Sequence, residues 1–579
     1  MRRLIPYIKG YKKAAVIGPL LMILEVICEL ILPLVMADII DIGINEGAGL
    51  AYILKKGALM VILAGLSMFA GVTATKFTSS ASMGFGANLR KGLFDKIQEF
   101  SFADIDRFSS ASLVTRMTND VNAMQNMVGM ALRMLVRAPV MLVAALVVCV
   151  NINARLSAVL FVVIPLMAAA IGTLMTVCHK LFGIMQKKID NLNATVQENL
   201  VAIRVVKAFV RAVYEKTKFK KSNDELTQAA LRATTRVILM QPIMTISLYA
   251  AIVAVLWLGG NQVIVGDMLV GDLSSFVTYI SQILMSVMML AMSLLQFTRA
   301  QACAKRINEV FDTVPDIRDG ENSRGAALPE SRGKVEFKDA SFRYIATGTG
   351  DDVLAHIDLT IEPGEFVAIV GGTGVGKSSL VNLIPRFYDV TAGAVLVDGM
   401  DVRDYPIEAL RERIGMVLQT NVLFSGTIRD NLLWGKPDAT EEELIQAAKN
   451  AQAYDFIMSF PDGFDTWLEQ GGVNVSGGQK QRLCIARAML RAPAILILDD
   501  STSAVDTATE AQIRASFKEN LAGTTVIIIA QRISSVEHAD KIVVLDDDHV
   551  AGLGTHEELL ASNEIYQEIY QTQQEGVSE

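Results

Sequence analysis

The chain has 579 residues, 51% of them hydrophobic, and a mean hydropathy of +0.38; it is too long for one core and too apolar for an ordinary soluble protein. Its formal net charge is −8, yet residues 1–320 carry 32 Lys and Arg against 21 Asp and Glu, and the remainder 21 against 40. The positive excess lies beside apolar stretches instead of forming a separate patch, which argues against a nucleic-acid binder and fits basic residues flanking a lipid bilayer.

In chain order, Met1-Arg2-Arg3 with Lys9, Lys12 and Lys13 precedes an apolar run. The run is too long for a signal peptide and lacks a small-residue cleavage site, so it is expected to be a retained membrane helix. Six stretches, at about residues 14–40, 57–79, 132–152, 156–178, 238–260 and 272–298, are long and apolar enough to cross a hydrocarbon core of roughly 30 Å. The connection between the second and third holds Arg90, Lys91, Lys96, Arg107 and Arg116, and that between the fourth and fifth runs from Lys187 to Arg236 with a further series of Lys and Arg. The opposite loops hold little beyond Lys55, Lys56 and Arg155. The positive-inside bias therefore puts both termini and both long connections in the cytoplasm of a multi-pass protein of the cell membrane. Leu192, Val196, Leu200, Ile203, Val206 and Val210 recur at helical spacing, so the long connections are expected to be membrane helices continued into the cytoplasm and joined by short turns.

Within the spans, Glu25 and Glu29 stand one helical turn apart. Carboxylates at membrane depth face a cavity or a partner, so the pair is either a substrate-binding site for cationic compounds or bonded to neighbouring helices. Met285, Met288, Met289 and Met292 suit an adaptable apolar surface or plain packing. Asp38, Asp41, Asp267 and Asp272 lie near the expected outer face as candidates for an external gate. The five cysteines show neither paired close spacing nor a metal-ligand pattern, and nothing in them requires an oxidising compartment.

Residues 314–333 read as a polar linker between a membrane domain at 1–313 and a second domain at 334–579. Beyond the linker, the short runs Val335–Phe337, Phe366–Val370, Ala394–Val397, Ile495–Leu498, Val526–Ile529 and Ile542–Leu545 alternate with helical patterns, as in an α/β domain. The run at 366–370 leads into Gly371-Gly372-Thr373-Gly374-Val375-Gly376-Lys377-Ser378 and then Ser379-Leu380-Val381. This is a strand, a phosphate loop and a helix: the glycines let the backbone wrap a polyphosphate, and the N–H groups and helix N-terminus favour the anion. Lys377 supplies charge to the β- and γ-phosphates of a bound nucleotide, and the Ser378 hydroxyl can hold Mg2+. Ile495-Leu496-Ile497-Leu498 reads as a buried central strand whose terminal Asp499 can reach the same ion. A second anion site is expected at Ser476-Gly477-Gly478-Gln479, before another helix. One nucleotide does not need two such sites in one domain, so the second is expected to close over a nucleotide held by a partner domain.

With these motifs in place, essentially the whole chain resembles a half-transporter of the ATP-binding cassette superfamily, of the exporter type: six membrane helices fused to an α/β P-loop nucleotide-binding domain. The resemblance rests on residues 371–378, the signature Ser476–Gln479, Asp499, and the run Ser503-Ala504-Val505-Asp506. It implies that Tyr344 stacks on adenine, that Gln419 senses Mg2+, and that Asp506 belongs to the nucleotide site. It further implies that the turns near 104–112 and 208–217 couple nucleotide binding to the membrane helices, and that the cycle is ATP-driven export by alternating access.

Two departures from that family stand out. Its hydrolytic members usually have Glu after the buried Asp, where this chain has Asp500, and His where it has Gln531. The shorter carboxylate is displaced by about 1 Å, enough to cost roughly a hundredfold in rate. Gln531 can hydrogen-bond a γ-phosphate but cannot carry an imidazolium charge. The signature keeps all four residues, with Val475 in place of the usual leucine. A weak site of its own and an intact signature imply a heterodimer, in which this chain binds ATP at a degenerate site and completes the hydrolytic site of a second half-transporter. The expected substrate is a small amphipathic or hydrophobic compound. A homodimeric exporter, a lipid translocator, and an ATP-gated channel or regulatory subunit are the alternatives.

Overall fold

The apolar runs of the N-terminal half form helices long and apolar enough to cross a membrane, six in number among the described residues. In this computed structural model the described residues are 1–320, 328–344, 352–500, 506–521 and 523–575. They divide into two units, Met1–Ile97 with Ala111–Thr313, and Gln98–Ser110 with Val314–Glu579. This division differs from the order of the chain, because a 13-residue piece of the first long connection clusters with the C-terminal unit.

Several helices far exceed a bilayer. Leu50–Gln98 has 49 residues and Ala154–Val201 has 48, or roughly 70 Å each at 1.5 Å per residue. The turn before the second of these needs only Asn153, whose side chain accepts from the Leu156 N–H at 3.0 Å and caps the helix. The extensions 154–201 and 212–238 are joined by polar contacts: Lys188 to Glu225 at 2.6 Å, Lys218 to Glu198 at 2.7 Å, and Asn199 to Glu215 at 3.1 Å. The apolar face expected there is only partly covered. Leu192, Val196 and Val206 are half-buried, whereas Leu200, Ile203 and Val210 are exposed, because Thr195 and Ser222 occupy the line where the two helices meet.

The first and last membrane helices, Lys12–Asp38 and Val270–Asp312, are tied by hydrogen bonds at membrane depth. Tyr279 donates to the Leu30 carbonyl at 2.5 Å and Ser275 to the Pro33 carbonyl at 2.6 Å, which satisfies two hydroxyls where no water is at hand. At the outer end the buried Asp41 accepts from the Gly271 N–H at 2.8 Å, and Lys56 reaches Asp38 at 2.5 Å. The candidate gate aspartates Asp38 and Asp41 thus join the first helix to the second and the last. A Cβ at Gly271 would stand 2.5 Å from the Ala37 carbonyl oxygen, so the close approach of these helices requires glycine.

The C-terminal unit is built on a six-stranded sheet in the order 549–554, 541–546, 366–371, 525–529, 495–499, 414–417. All neighbours are parallel except the first pair. Ile495–Asp499 and Thr525–Ile529 are buried at every residue, as continuous β-branched and leucine runs in a covered parallel sheet must be. Apolar clusters cover both faces, one around Leu432, Leu483 and Ile528, the other around Val381, Tyr405 and Ile497. A four-stranded antiparallel sheet, in the order 354–361, 335–342, 392–397, 400–401, completes the unit.

Gly271→Ala is expected to push the first and last membrane helices apart and cost about 1–3 kcal/mol, the usual cost of overpacking. A thermal melt of the purified protein, compared with wild type, checks this as a lowered Tm.

Candidate functional site

The strand Phe366–Gly371 ends at the phosphate loop, and the helix Lys377–Leu383 begins as that loop ends. Gly376 has φ +88°, and a Cβ on it would stand 2.9 Å from the Val353 carbonyl oxygen, so the last turn of the loop is open to glycine alone. The loop forms one wall of a cavity of about 750 Å³, lined by Gly371, Gly372, Thr373, Gly374, Gly376, Lys377, Ser378 and Ser379. Tyr344, Gln419, Asp499, Asp500 and Gln531 line it as well, so residues spread over almost 190 positions of sequence face one space. Val375 does not line it; its side chain packs on the hydrophobic core.

The polar groups are held closely. Lys377 Nζ donates to the carbonyls of Gly371 at 2.8 Å and Gly372 at 2.5 Å. Burial lowers its pKa, an effect opposed by Asp500 and Asp499. The Ser378 hydroxyl donates to Asp499 Oδ1 at 3.0 Å. Burial raises the pKa of Asp499, the Ser378 bond lowers it, and the neighbouring Asp500 raises it. Two carboxylates with one lysine between them leave the site short of positive charge. A hard cation takes oxygen ligands, and the Ser378 hydroxyl, the Asp499 carboxylate and the Gln419 amide all line this cavity, so the oxygen donors present fit Mg2+.

Asp500 has φ +47°, a left-handed conformation that costs a non-glycine residue about 1–2 kcal/mol. Its N–H donates to the Ile529 carbonyl at 3.2 Å, and its carboxylate accepts from Gln531 Nε2 at 2.6 Å. Burial raises the Asp500 pKa, while the bond to Gln419, the charge of Lys377 and the bond to Gln531 lower it. Tyr344 meets Phe342 and Tyr388 edge-on, with ring centroids 4.8 and 5.2 Å apart, and shares a hydrogen bond with Ser379 Oγ at 2.9 Å.

Three groups of expected site residues lie apart from the cavity. Ser476 and Gln479 bond each other, the Ser476 hydroxyl accepting from the Gln479 N–H at 3.3 Å and the Gln479 side chain accepting from the Ser476 N–H at 2.9 Å. This capping box starts the helix Gly477–Leu490, with Gly477 and Gly478 in its first turn. Asp506 caps the helix Thr507–Asn520 by accepting from the Thr509 N–H at 2.9 Å; Ser503, Ala504 and Val505 lie outside the described residues. In the membrane domain, Arg137 Nη2 donates to both carboxylate oxygens of Glu29, at 2.7 and 2.8 Å, and Nη1 donates to Glu25. Glu25 and Glu29 are therefore bonded to a neighbouring helix, and with Met22, Met68, Met134, Met289 and Arg137 they line a cavity of about 840 Å³. Arg137 was legible in the sequence as a cation inside the third span, but its pairing across 108 and 112 residues was not.

The segment 98–110 meets the rest of the C-terminal unit through Phe102, whose ring lies 4.4 Å from that of Phe387, and through Asp106, which accepts from the Tyr388 hydroxyl at 2.9 Å. Ser101 starts this short helix with a capping box to Asp104. Burial and the Asp106 bond both raise the Tyr388 pKa, so the phenol keeps its proton.

Residues 16–287 match the family model described as ABC transporter transmembrane region, and residues 354–503 match that described as ABC transporter. The chain is 39% identical over 573 residues to YfiB of Bacillus subtilis (strain 168), an uncharacterized ABC transporter ATP-binding protein, with 99% of this chain and 98% of YfiB covered. It is 36% identical over 487 residues to the ATP-dependent lipid A-core flippase of Syntrophus aciditrophicus (strain SB), covering 84% of this chain and 80% of the flippase. The solved structure of a bacterial Atm1-family ABC exporter with ATP bound superposes with a TM-score of 0.81 at 26% identity, over 97% of this chain and 98% of that one.

Lys377→Ala removes a charge-assisted contact worth about 1.5–3 kcal/mol. It is expected to weaken ATP binding by roughly tenfold to a hundredfold, read by titration with a fluorescent ATP analogue.

Proposed function

The chain belongs to the ATP-binding cassette transporters, as an exporter-type half-transporter of the membrane with its ATP-binding domain in the cytoplasm, and from that premise we propose that it is the degenerate-site subunit of a heterodimer. ATP-driven transport is common to the family; the finer assignment rests on Asp500 and Gln531. The observation that carries it is the 2.6 Å bond from Gln531 Nε2 to Asp500 Oδ2. The two departures engage each other: the carboxylate that would polarise the attacking water accepts from an amide that cannot take up a proton.

In this reading the loop N–H groups and Lys377 hold the phosphates of ATP, and Tyr344 packs on the base. Ser378, Asp499 and Gln419 would hold Mg2+, which would supply positive charge to offset that of the phosphates. Gln531 binds the terminal phosphate without promoting its loss. Ser476–Gln479 lies outside this chain's own cavity, which supports its use on the nucleotide of a second half-transporter. ATP at both interfaces draws the nucleotide domains together, and Phe102 and Asp106 carry the movement towards the membrane helices by alternating access. Hydrolysis at the partner's site resets the cycle.

The membrane cavity supports a small amphipathic or hydrophobic substrate. Its four methionines adapt to varied apolar shapes, and Arg137 bonds both Glu25 and Glu29, which argues against a site built for cations alone. A lipid translocator is the second reading, favoured by the 36% identity to a lipid A-core flippase; turnover stimulated by added lipid would support it.

Purification from native membranes in mild detergent, followed by intact mass, is expected to find a second chain in one-to-one ratio that carries Glu and His at the positions of Asp500 and Gln531. Brisk hydrolysis by copies of this chain alone would overturn the assignment. Restoring Asp500→Glu and Gln531→His together is expected to raise turnover at this chain's own site by roughly a hundredfold, the inverse of the cost of a carboxylate misplaced by about 1 Å.

A further inference from the structure

The cavity that holds the phosphate loop has a wall that no nucleotide motif accounts for. Glu568, Ile569, Thr572 and Gln573 line it, and all four lie on the helix Glu564–Glu575 near the end of the chain. This helix is firmly seated. Tyr566 is fully buried and bonded to His556 Nδ1 at 2.8 Å, Ile565, Ile569 and Tyr570 pack on the core, and Asn563 accepts from the Tyr566 N–H at 2.8 Å while donating to the Ala551 carbonyl at 2.9 Å.

From that platform Gln573 grips the loop after the strand Thr525–Ile529. Its Nε2 donates to the Gln531 carbonyl at 2.7 Å, and its Oε1 accepts from the Ile533 N–H at 2.8 Å. One side-chain amide thus satisfies a donor and an acceptor on either side of Arg532 and fixes the backbone from which the Gln531 side chain reaches Asp500. The Gln531 amide so placed lies 2.6 Å from the Asp500 carboxylate: a glutamine side chain turns about three rotatable bonds, and its aim is set by where its backbone is held.

We propose that Gln573 is a positioning residue of this nucleotide site. By clamping residues 531 and 533 it aims the Gln531 amide at the terminal phosphate, and the C-terminal helix becomes part of the machinery that tells ATP from ADP. The inference rests on the assignment of this cavity to ATP. With Gln531 assigned to the terminal phosphate in that reading, loss of the clamp is expected to weaken ATP and to leave ADP as it was.

The test uses the full-length chain with whatever chain co-purifies, reconstituted in lipid nanodiscs. Labelling of this chain by 8-azido-ATP is measured with ATP or ADP as competitor, so that only its own site is read. Gln573→Ala and the similarly sized Gln573→Met are expected to weaken protection by ATP roughly tenfold, the value of about one hydrogen bond to a charged group, and to leave protection by ADP unchanged. Gln573→Glu keeps the acceptor for Ile533 and loses the donor to Gln531, and is expected to fall between these and wild type. Equal weakening of ATP and ADP, or no change in either, would overturn the positioning role. Labelling of the wild type that neither nucleotide prevents would overturn the ATP assignment and this inference with it.

Discussion

A hydroxyl and a carboxylate separated by 121 residues meet at 3.0 Å, Ser378 on the first turn of a helix and Asp499 at the end of a buried strand. The meeting is possible because the strands 366–371 and 495–499 run parallel on either side of 525–529, so all three end at one edge of the sheet. Open parallel sheets bind their ligands at that edge. The segments leaving the three strands are thereby brought together without any contact in sequence: the phosphate loop, the Asp499–Asp500 pair, and Gln531 with the loop that Gln573 holds.

Electrostatics at that edge are left incomplete. Burial raises the pKa of both carboxylates and lowers that of Lys377, so each charged form is disfavoured until a compensating charge arrives. A nucleotide with a counter-cation would supply both signs. The Gln531–Asp500 bond engages one of the two carboxylates. Binding needs the loop, the lysine and the oxygen donors, whereas turnover needs a carboxylate free to polarise water. A site can therefore lose the second while keeping the first.

The same balance of charge governs the membrane domain. An unpaired ion at membrane depth is costly, and one guanidinium serves two carboxylates when Arg137 bonds Glu25 and Glu29. The first and last helices are joined by hydroxyl-to-carbonyl bonds from Tyr279 and Ser275, and Gly271 lets their backbones approach. At the cytoplasmic end the covering is less complete, and Leu200, Phe209 and Val210 stay exposed on the 154–201 and 212–238 extensions and their turn.

Features that depend on neighbours along the chain are legible in the order of residues. The spans are visible because a bilayer demands about 20 apolar residues in a row, and the phosphate loop because glycines, lysine and serine must succeed one another at fixed spacing. The strands at 366–370, 495–498 and 526–529 are visible because full burial leaves an unbroken apolar run. The strands Leu354–Ile361, Ile414–Val417 and His549–Gly554 were not, since the first and third interleave polar or glycine residues with apolar ones and the second spans only four residues. The remaining features arise from packing. That Arg137 answers Glu25 and Glu29, that residues 98–110 join the C-terminal unit, that Asp500 is bonded by Gln531, and that Gln573 reaches back 42 residues to hold the Gln531 carbonyl are all meetings of distant residues. They are set by which elements pack together, and a pattern read along one strand or one helix carries no record of its neighbours.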